Sequence, residues 1–167
     1  YVVDGEDTVD IHLFKRALGV INNLITSAVS GRDIRIIWRA VPPRHYEKGD
    51  WNSHGTCDRK EPLSLSELTD RLTSSPNKYI GLAVELSNAI LAAANHSNFE
   101  YIDILPTTMR RADALISKLH TRTRTGGNVT DCVHYCIPGV PDTWNTILLN
   151  HLLGHSGKED NLAAKAN

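Results

Sequence analysis

The fold is decided by one apolar run, Ile34-Arg35-Ile36-Ile37-Trp38-Arg39-Ala40-Val41, which ends at Pro42-Pro43. Its β-branched and aromatic residues favour a strand, and the prolines stop that strand because they lack a backbone donor. Six of these eight residues are apolar, which is typical of a strand inside a parallel sheet. Residues 99–105 predict a second strand, closed by Pro106.

Predicted helices alternate with these strands. The first is capped by Asp7 or Thr8 and ends at Gly31, and a Ser64/Glu67 capping box opens a short one over residues 65–72. Three more are predicted over residues 78–95, 107–120 and 141–153, with loops at 44–62 and 121–130. This order predicts an α/β fold with parallel strands.

Composition limits the class of protein. The chain has 167 residues, 41% hydrophobic and 22% charged, and a formal net charge of −1. Such values are ordinary for a globular domain, and the absence of a basic excess argues against a nucleic-acid partner. The longest apolar segment, residues 9–29, is interrupted by charged residues, so no membrane span is predicted. The start without methionine suggests a fragment of a longer protein.

Cysteines and glycosylation sequons indicate the secretory pathway. The three cysteines, Cys57, Cys132 and Cys136, leave one without a partner in this chain if the others form a disulfide. The sequons begin at Asn95 and Asn128, which are the predicted glycosylation sites. Together they favour an oxidising compartment.

The chemistry is concentrated in residues 131–145, DCVHYCIPGVPDTWN. Asp131 and His134 are spaced so that the carboxylate can orient the imidazole, and His134 can then act as a general base toward a hydroxyl nucleophile. Spacing alone favours a capping aspartate and an incidental histidine. The surrounding residues shift the balance toward catalysis.

The loop after the first strand supplies further candidates. Arg39, His45, Trp51 and Asn52 are predicted to line a substrate cleft, because loops at the carboxyl ends of parallel strands often build sites in α/β proteins. The alternative is a structural loop pinned by a disulfide at Cys57.

Zinc is a further possibility. Cys57, Cys132, His134 and Cys136 are four potential ligands, and the last three would share one side of an extended segment. Catalysis and disulfides explain the same residues in a secreted protein, so no metal is predicted.

Three segments resemble one family. DCVHYCIPGVPDTWN is similar to the signature D-C-x-H-W-C-L-P-G-x-P-D-x-W-N of the trichome birefringence-like proteins, the plant polysaccharide O-acetyltransferases of the PC-esterase superfamily. Residues 39–57, RAVPPRHYEKGDWNSHGTC, resemble a second block of that family, and residues 101–115 a third. Tyr135 stands where the family usually has Trp.

The resemblance implies an α/β, SGNH/GDSL-esterase-like parallel sheet with flanking helices. It implies that residues 1–153 are the C-terminal part of a PC-esterase domain, followed by a flexible tail at 154–167. Asp131 and His134 match the triad Asp and His, but the family's G-D-S serine is absent from this chain. The three cysteines match disulfide cysteines, with Cys57 expected to pair with Cys132 or Cys136.

The implied function is O-acetyl transfer to polysaccharide hydroxyls through a Ser-His-Asp triad. The co-substrate would be acetyl-CoA or another acetyl carrier, with no bound cofactor. The implied location is the Golgi lumen, with a membrane anchor outside this chain, and the 167 residues alone are expected to be inactive. Two alternatives stay open: an acetylesterase of the same superfamily, or a non-catalytic carbohydrate-binding or structural module with a vestigial Asp/His pair.

Overall fold

The computed structural model describes residues 9–49, 55–73, 78–116, 121–122 and 128–163. Its elements are α1 (Ile11–Val29), β1 (Ile37–Arg39), α2 (Leu65–Thr73), α3 (Lys78–His96), β2 (Glu100–Ile102), α4 (Leu105–Met109), β3 (Thr121–Arg122), β4 (Asn128–Val129) and α5 (Val140–Ala163). The chain divides into two compact units. Unit 1 is Tyr1–Val41 with Val84–Asp103, and unit 2 is Pro42–Ala83 with Ile104–Asn167.

Unit 1 contains a two-stranded parallel sheet. β1 pairs with β2 so that Trp38 faces Tyr101. The ladder extends at both ends, where Glu100 N–H donates to Ile36 O (2.9 Å) and Ala40 N–H donates to Ile102 O (3.1 Å). The predicted parallel pairing is therefore confirmed, although each strand is only three residues long. The sheet and its helices are consistent with an α/β fold.

Helix α1 begins two or three residues later than the sequence predicts. Asp10 is its N-cap, in place of Asp7 or Thr8, and its carboxylate accepts hydrogen bonds from His12 N–H and Leu13 N–H at 2.9 and 3.0 Å. Those two bonds satisfy backbone donors that a helix start otherwise leaves unpaired.

The core of unit 1 forms on the buried face of α1. Leu18 packs in a cluster with Ala89 and Ile90 of α3. Asn22 is also buried there, and its amide donates to Ala93 O (2.7 Å) and Ser97 Oγ (2.9 Å).

Unit 2 contains the predicted capping box. Ser64 Oγ accepts from Glu67 N–H (3.2 Å), and the Glu67 carboxylate accepts from Ser64 N–H (2.8 Å), so α2 starts as expected. One buried cluster of this unit contains Tyr46, Cys57, Tyr79, Leu115, Cys132, Tyr135 and Val140.

The predicted helix over residues 107–120 is confirmed only as far as Met109 and is wrong over residues 111–116. α4 ends at Met109, and Leu115 instead forms a β-bridge with Tyr135. Ile116 N–H donates to His134 O and Cys136 N–H donates to Ala114 O, both at 3.1 Å. Tertiary pairing with the Asp131–Cys136 segment has overridden helix propensity.

Two further boundaries differ from the predictions. β3 and β4 form an antiparallel pair inside the predicted 121–130 loop. α5 continues to Ala163, ten residues past its predicted end at Leu153. The division into a domain over 1–153 and a tail over 154–167 stays a prediction.

Among the described residues, no helix combines the length and the apolarity needed to cross a bilayer.

Candidate active site

Asp131 and His134 form a direct side-chain pair in unit 2. Asp131 Oδ2 lies 2.8 Å from His134 Nδ1. The other oxygen, Oδ1, accepts from Val133 N–H (3.0 Å) and from His134 N–H (2.9 Å). One carboxylate therefore closes the turn and holds the imidazole at the same time, which is the geometry expected from the D-x-x-H spacing.

The hydrogen bonds that Asp131 accepts keep its carboxylate ionised. Burial by itself would raise the pKa of Asp131, but the hydrogen bonds from His134 N–H, Val133 N–H and the imidazole outweigh it and hold the pKa below its ordinary value. Asp131 is thus an ionised acceptor at neutral pH. Nδ1 of a neutral His134 must then bear the proton, which leaves the Nε2 lone pair as a base.

The two side chains differ sharply in exposure. Asp131 is 17% exposed, whereas His134 is 74% exposed. A sheltered carboxylate therefore orients an imidazole that a reactant can approach from outside.

The backbone of this turn is held from several sides. Cys132 forms a disulfide with Cys57, 75 residues earlier in the sequence. This is one of the two pairings that the sequence left open. Cys132 O also accepts from His45 N–H (3.0 Å), and Cys132 is fully buried. Cys136, the other possible partner, is an exposed free cysteine.

His45 lies in the interior of unit 2, and its role in lining a substrate cleft stays a prediction. Its side chain is fully buried, and Nε2 lies 3.0 Å from Tyr135 Oη. Burial, reinforced by the charge of Arg71, lowers the pKa of His45 from 6.5 to about 4, so the ring is neutral at physiological pH. Burial likewise raises the pKa of the Tyr135 hydroxyl, which remains protonated.

Residues at the start of α5 also hold the Asp131–Cys136 segment in place. Asp142 accepts from Gly139 N–H (2.6 Å), and a Cβ on Gly139 would lie 2.8 Å from Cys136 O, so only glycine fits without a shift. Trp144 packs edge-to-face on Tyr135 with ring centroids 5.6 Å apart, and its Nε1–H donates to Thr108 Oγ1 (2.9 Å).

The contacts that support Tyr135 were not predictable from the sequence. Its partner His45 lies 90 residues away in the chain, and no local pattern connects them. The Trp144–Thr108 bond also links distant positions. The only available signal was that His45, Tyr135 and Trp144 all lie within the family-like segments.

The remaining predicted site residues are placed as follows. Arg39 is exposed in unit 1 and donates through Nη1 to Ala40 O (3.0 Å). Trp51 and Asn52 lie outside the described residues. Asn95 is exposed in the last turn of α3, and Asn128 belongs to β4. Their substrate-binding and glycosylation roles stay predictions.

Two of the four residues considered as zinc ligands are not available to a metal in this structure. Cys57 and Cys132 are consumed by the disulfide, and zinc binds thiolates rather than disulfide sulfur. His134 Nδ1 is engaged by Asp131. The described part of the chain holds no group of three side chains arranged to ligate a metal.

Comparison with known proteins identifies the class. Residues 6–151 match the PC-esterase family model, described as a GDSL/SGNH-like acyl-esterase family found in Pmr5 and Cas1p. The chain therefore belongs to the PC-esterase family.

Individual relatives give a more specific comparison. Protein trichome birefringence-like 13 of Arabidopsis thaliana is 37% identical over 116 residues, covering 68% of this chain and 27% of the relative. Xyloglucan O-acetyltransferase 3 of Populus trichocarpa is 30% identical over 142 residues, covering 82% of this chain and 34% of the relative. The chain thus spans about a quarter to a third of the length of these relatives. No solved structure gives a significant match.

Proposed function

We propose that the protein containing this chain is an O-acetyltransferase acting on polysaccharide hydroxyls, and that Asp131 and His134 are the acid–base end of its Ser-His-Asp triad. The observation that supports this most is the 2.8 Å Asp131–His134 contact, with the carboxylate ionised and the imidazole exposed. Two relatives carry the name xyloglucan O-acetyltransferase, which supports a polysaccharide acceptor.

The mechanism has two half-reactions. The nucleophile is a serine from a segment outside these 167 residues. His134 Nε2 takes the serine proton as Oγ attacks the acetyl carbonyl of the donor, then returns the proton to the departing group, leaving an acetyl-serine. In the second half, Nε2 takes the proton of a sugar hydroxyl, whose oxygen attacks the acetyl-serine. The ester forms on the sugar, and the proton returns to serine.

Asp131 acts through His134 in both halves. It stabilises the imidazolium that forms when Nε2 accepts a proton, and it keeps Nδ1 as the protonated nitrogen. The donor is proposed to be acetyl-CoA or another acetyl carrier, which enters as a co-substrate, and no resident cofactor is invoked.

The proposal extends to fold and location. The parallel β1–β2 pair supports an SGNH/GDSL-like sheet of which this chain forms the C-terminal part. The Cys57–Cys132 disulfide supports an oxidising compartment, here proposed to be the Golgi lumen, with a membrane anchor outside this chain.

The test is acetyl transfer by the full-length protein to xyloglucan oligosaccharides. His134→Gln should lower kcat/KM by at least about 10³-fold, because loss of a triad member removes proton transfer to and from the nucleophile. His12→Gln, at an exposed position of α1, is the matched control and should leave transfer unchanged. Unchanged transfer in His134→Gln would refute the proposed role.

One observation also supports the alternative function, an acetylesterase. The His134 ring is 74% exposed in this structure, so water can reach it. Measuring acetate released against acetyl transferred, in the same reaction, separates the two activities. Oligosaccharide binding without either product would instead support a non-catalytic module.

A further inference from the structure

We propose that one side of helix α1 is the docking surface for the upstream part of the same polypeptide, the part that carries the nucleophilic serine. This inference rests on the proposed function, because that function assigns the serine to a segment outside these 167 residues. The surface, which we name the outer stripe, consists of six exposed apolar residues of α1: Leu13, Ala17, Val20, Ile21, Leu24 and Ala28.

Helix α1 carries two separate apolar stripes. The first includes Ile11, Phe14 and Leu18 and packs with Ala89 and Ile90 of α3. The outer stripe has helical spacing as well, at positions i, i+4, i+7, i+8, i+11 and i+15, and it covers about 100° of the helix surface. Its centre lies about 110° around the helix axis from the first stripe. Since each apolar stripe of a helix is buried by a neighbouring element, the second stripe requires a second neighbour.

The outer stripe is open in the structure. Its four large members, Leu13, Val20, Ile21 and Leu24, are between 41% and 65% exposed. From Leu13 to Ala28 it runs about 22 Å along the helix. Single exposed apolar residues are ordinary, but a continuous apolar patch marks an interaction surface.

The remaining side of α1 shows which residues this helix presents to water. His12, Lys15, Arg16, Asn23 and Thr26 lie between the two apolar stripes, and all five are exposed. Polar residues therefore occupy one exposed side of α1, while the other exposed side is apolar throughout. The outer stripe thus differs in composition from a side that faces solvent.

Two observations favour the upstream polypeptide as the partner. The matched region covers 27% of the Arabidopsis relative and 34% of the Populus relative, so most of each relative lies outside it. Val9, directly before the N-cap Asp10, is also exposed, so apolar surface continues to the point where the preceding chain enters α1.

The chemistry of the stripe defines the kind of contact. All six members are uncharged and apolar, which suits a permanent interface that resembles the core of a domain rather than a transient polar one. A two-stranded sheet such as β1–β2 is marginal by itself, so a further layer on α1 would also stabilise unit 1. The length of the stripe fits a helix of about 15 residues or a strand of about seven with an apolar face of its own.

The test places a photoreactive residue on the stripe of the full-length protein, as Leu24→benzoylphenylalanine, and identifies the cross-linked peptide by mass spectrometry. We expect a cross-link to a peptide upstream of Tyr1. A mixture of unlabelled and isotope-labelled protein shows whether that cross-link forms within one molecule or between two. The matched control is Asn23→benzoylphenylalanine, on the exposed polar side of the same turn, which should give no upstream cross-link.

A smaller substitution guards against disturbed folding. Leu24→Cys and Asn23→Cys are compared in the native full-length protein by maleimide labelling, quantified at each position by peptide mass spectrometry. Both positions are exposed in this structure, so they differ only if another segment covers the stripe. We expect Leu24→Cys to react at least about tenfold more slowly, because a buried position is labelled only through local opening. Equal rates would overturn the inference.

The cross-linking outcomes identify the occupant. A cross-link to a second copy, or to added phospholipid vesicles, assigns the stripe to a dimer or a membrane contact and overturns the upstream segment. A cross-link confined to residues 1–167, or none at all, overturns it too. Acetyl transfer by the wild-type protein tests the proposed function separately. Transfer with an uncovered stripe leaves that function standing, whereas an upstream cross-link without transfer keeps the docking surface and refutes the function.

Discussion

His45 should make the protein lose stability as the pH falls below 6.5. In the unfolded chain, the imidazole has its ordinary pKa near 6.5, whereas burial first, and then the charge of Arg71, lowers the pKa in the folded protein to about 4. Between these values, the unfolded state binds a proton that the folded state does not. Acid therefore favours unfolding in this window, and the stability is regained as the pH rises through it.

The magnitude follows from the size of the window. Each pH unit between the two pKa values costs about 1.4 kcal/mol, so the full interval from 6.5 to about 4 corresponds to about 3 kcal/mol. That is a substantial share of the free energy of unfolding of a typical domain, which is about 5–15 kcal/mol.

The assay is urea unfolding of the full-length protein and of His45→Gln, at several pH values between about 4 and 7.5. Glutamine keeps a polar group near Tyr135 but does not titrate. The wild-type minus variant difference in the free energy of unfolding should shrink by about 2–3 kcal/mol from the top to the bottom of this range. His12→Gln, at an exposed position, controls for loss of a histidine. Parallel pH profiles for wild type and His45→Gln would refute the reasoning.

Two further predictions concern the Asp131–Cys136 turn and its supports. Gly139→Ala should destabilise the protein by about 1–3 kcal/mol and lower activity, because the new Cβ would lie 2.8 Å from Cys136 O, whereas Gly154→Ala meets nothing within 4 Å and should be neutral or stabilising. Thermal unfolding compares the pair, and equal effects would contradict the strain argument. Replacing Cys57 and Cys132 together by alanine should cost up to about 4 kcal/mol, because the bond closes a loop of 75 residues. A double variant with unchanged stability in denaturant titration would show that the bond is not stabilising.

Local sequence signals predicted some elements well. The Ser64/Glu67 box forms as expected because its two hydrogen bonds depend only on residues three apart. The Asp131–His134 contact is also local, since both residues lie in one turn. The parallel pairing of β1 and β2 followed from apolar runs separated by helices.

Elements controlled by distant contacts were not predictable. The segment after α4 has helix propensity, yet Leu115 pairs with Tyr135. His45 looks like a polar loop residue in the sequence, but it is fully buried, and the groups around it include Arg71, Thr108 and Tyr135, which lie 26, 63 and 90 residues away. The sequence around Leu115 and around His45 contains no pattern that would predict these distant partners.

We propose that His134, oriented by Asp131, activates a serine that takes up the acetyl group. The most direct measurement is peptide mass spectrometry of the full-length protein, quenched during turnover with an acetyl donor and no acceptor. We expect an acetylated serine that disappears in His134→Gln and is strongly reduced in Asp131→Asn. Acetylation of that serine at an undiminished rate in His134→Gln would contradict it.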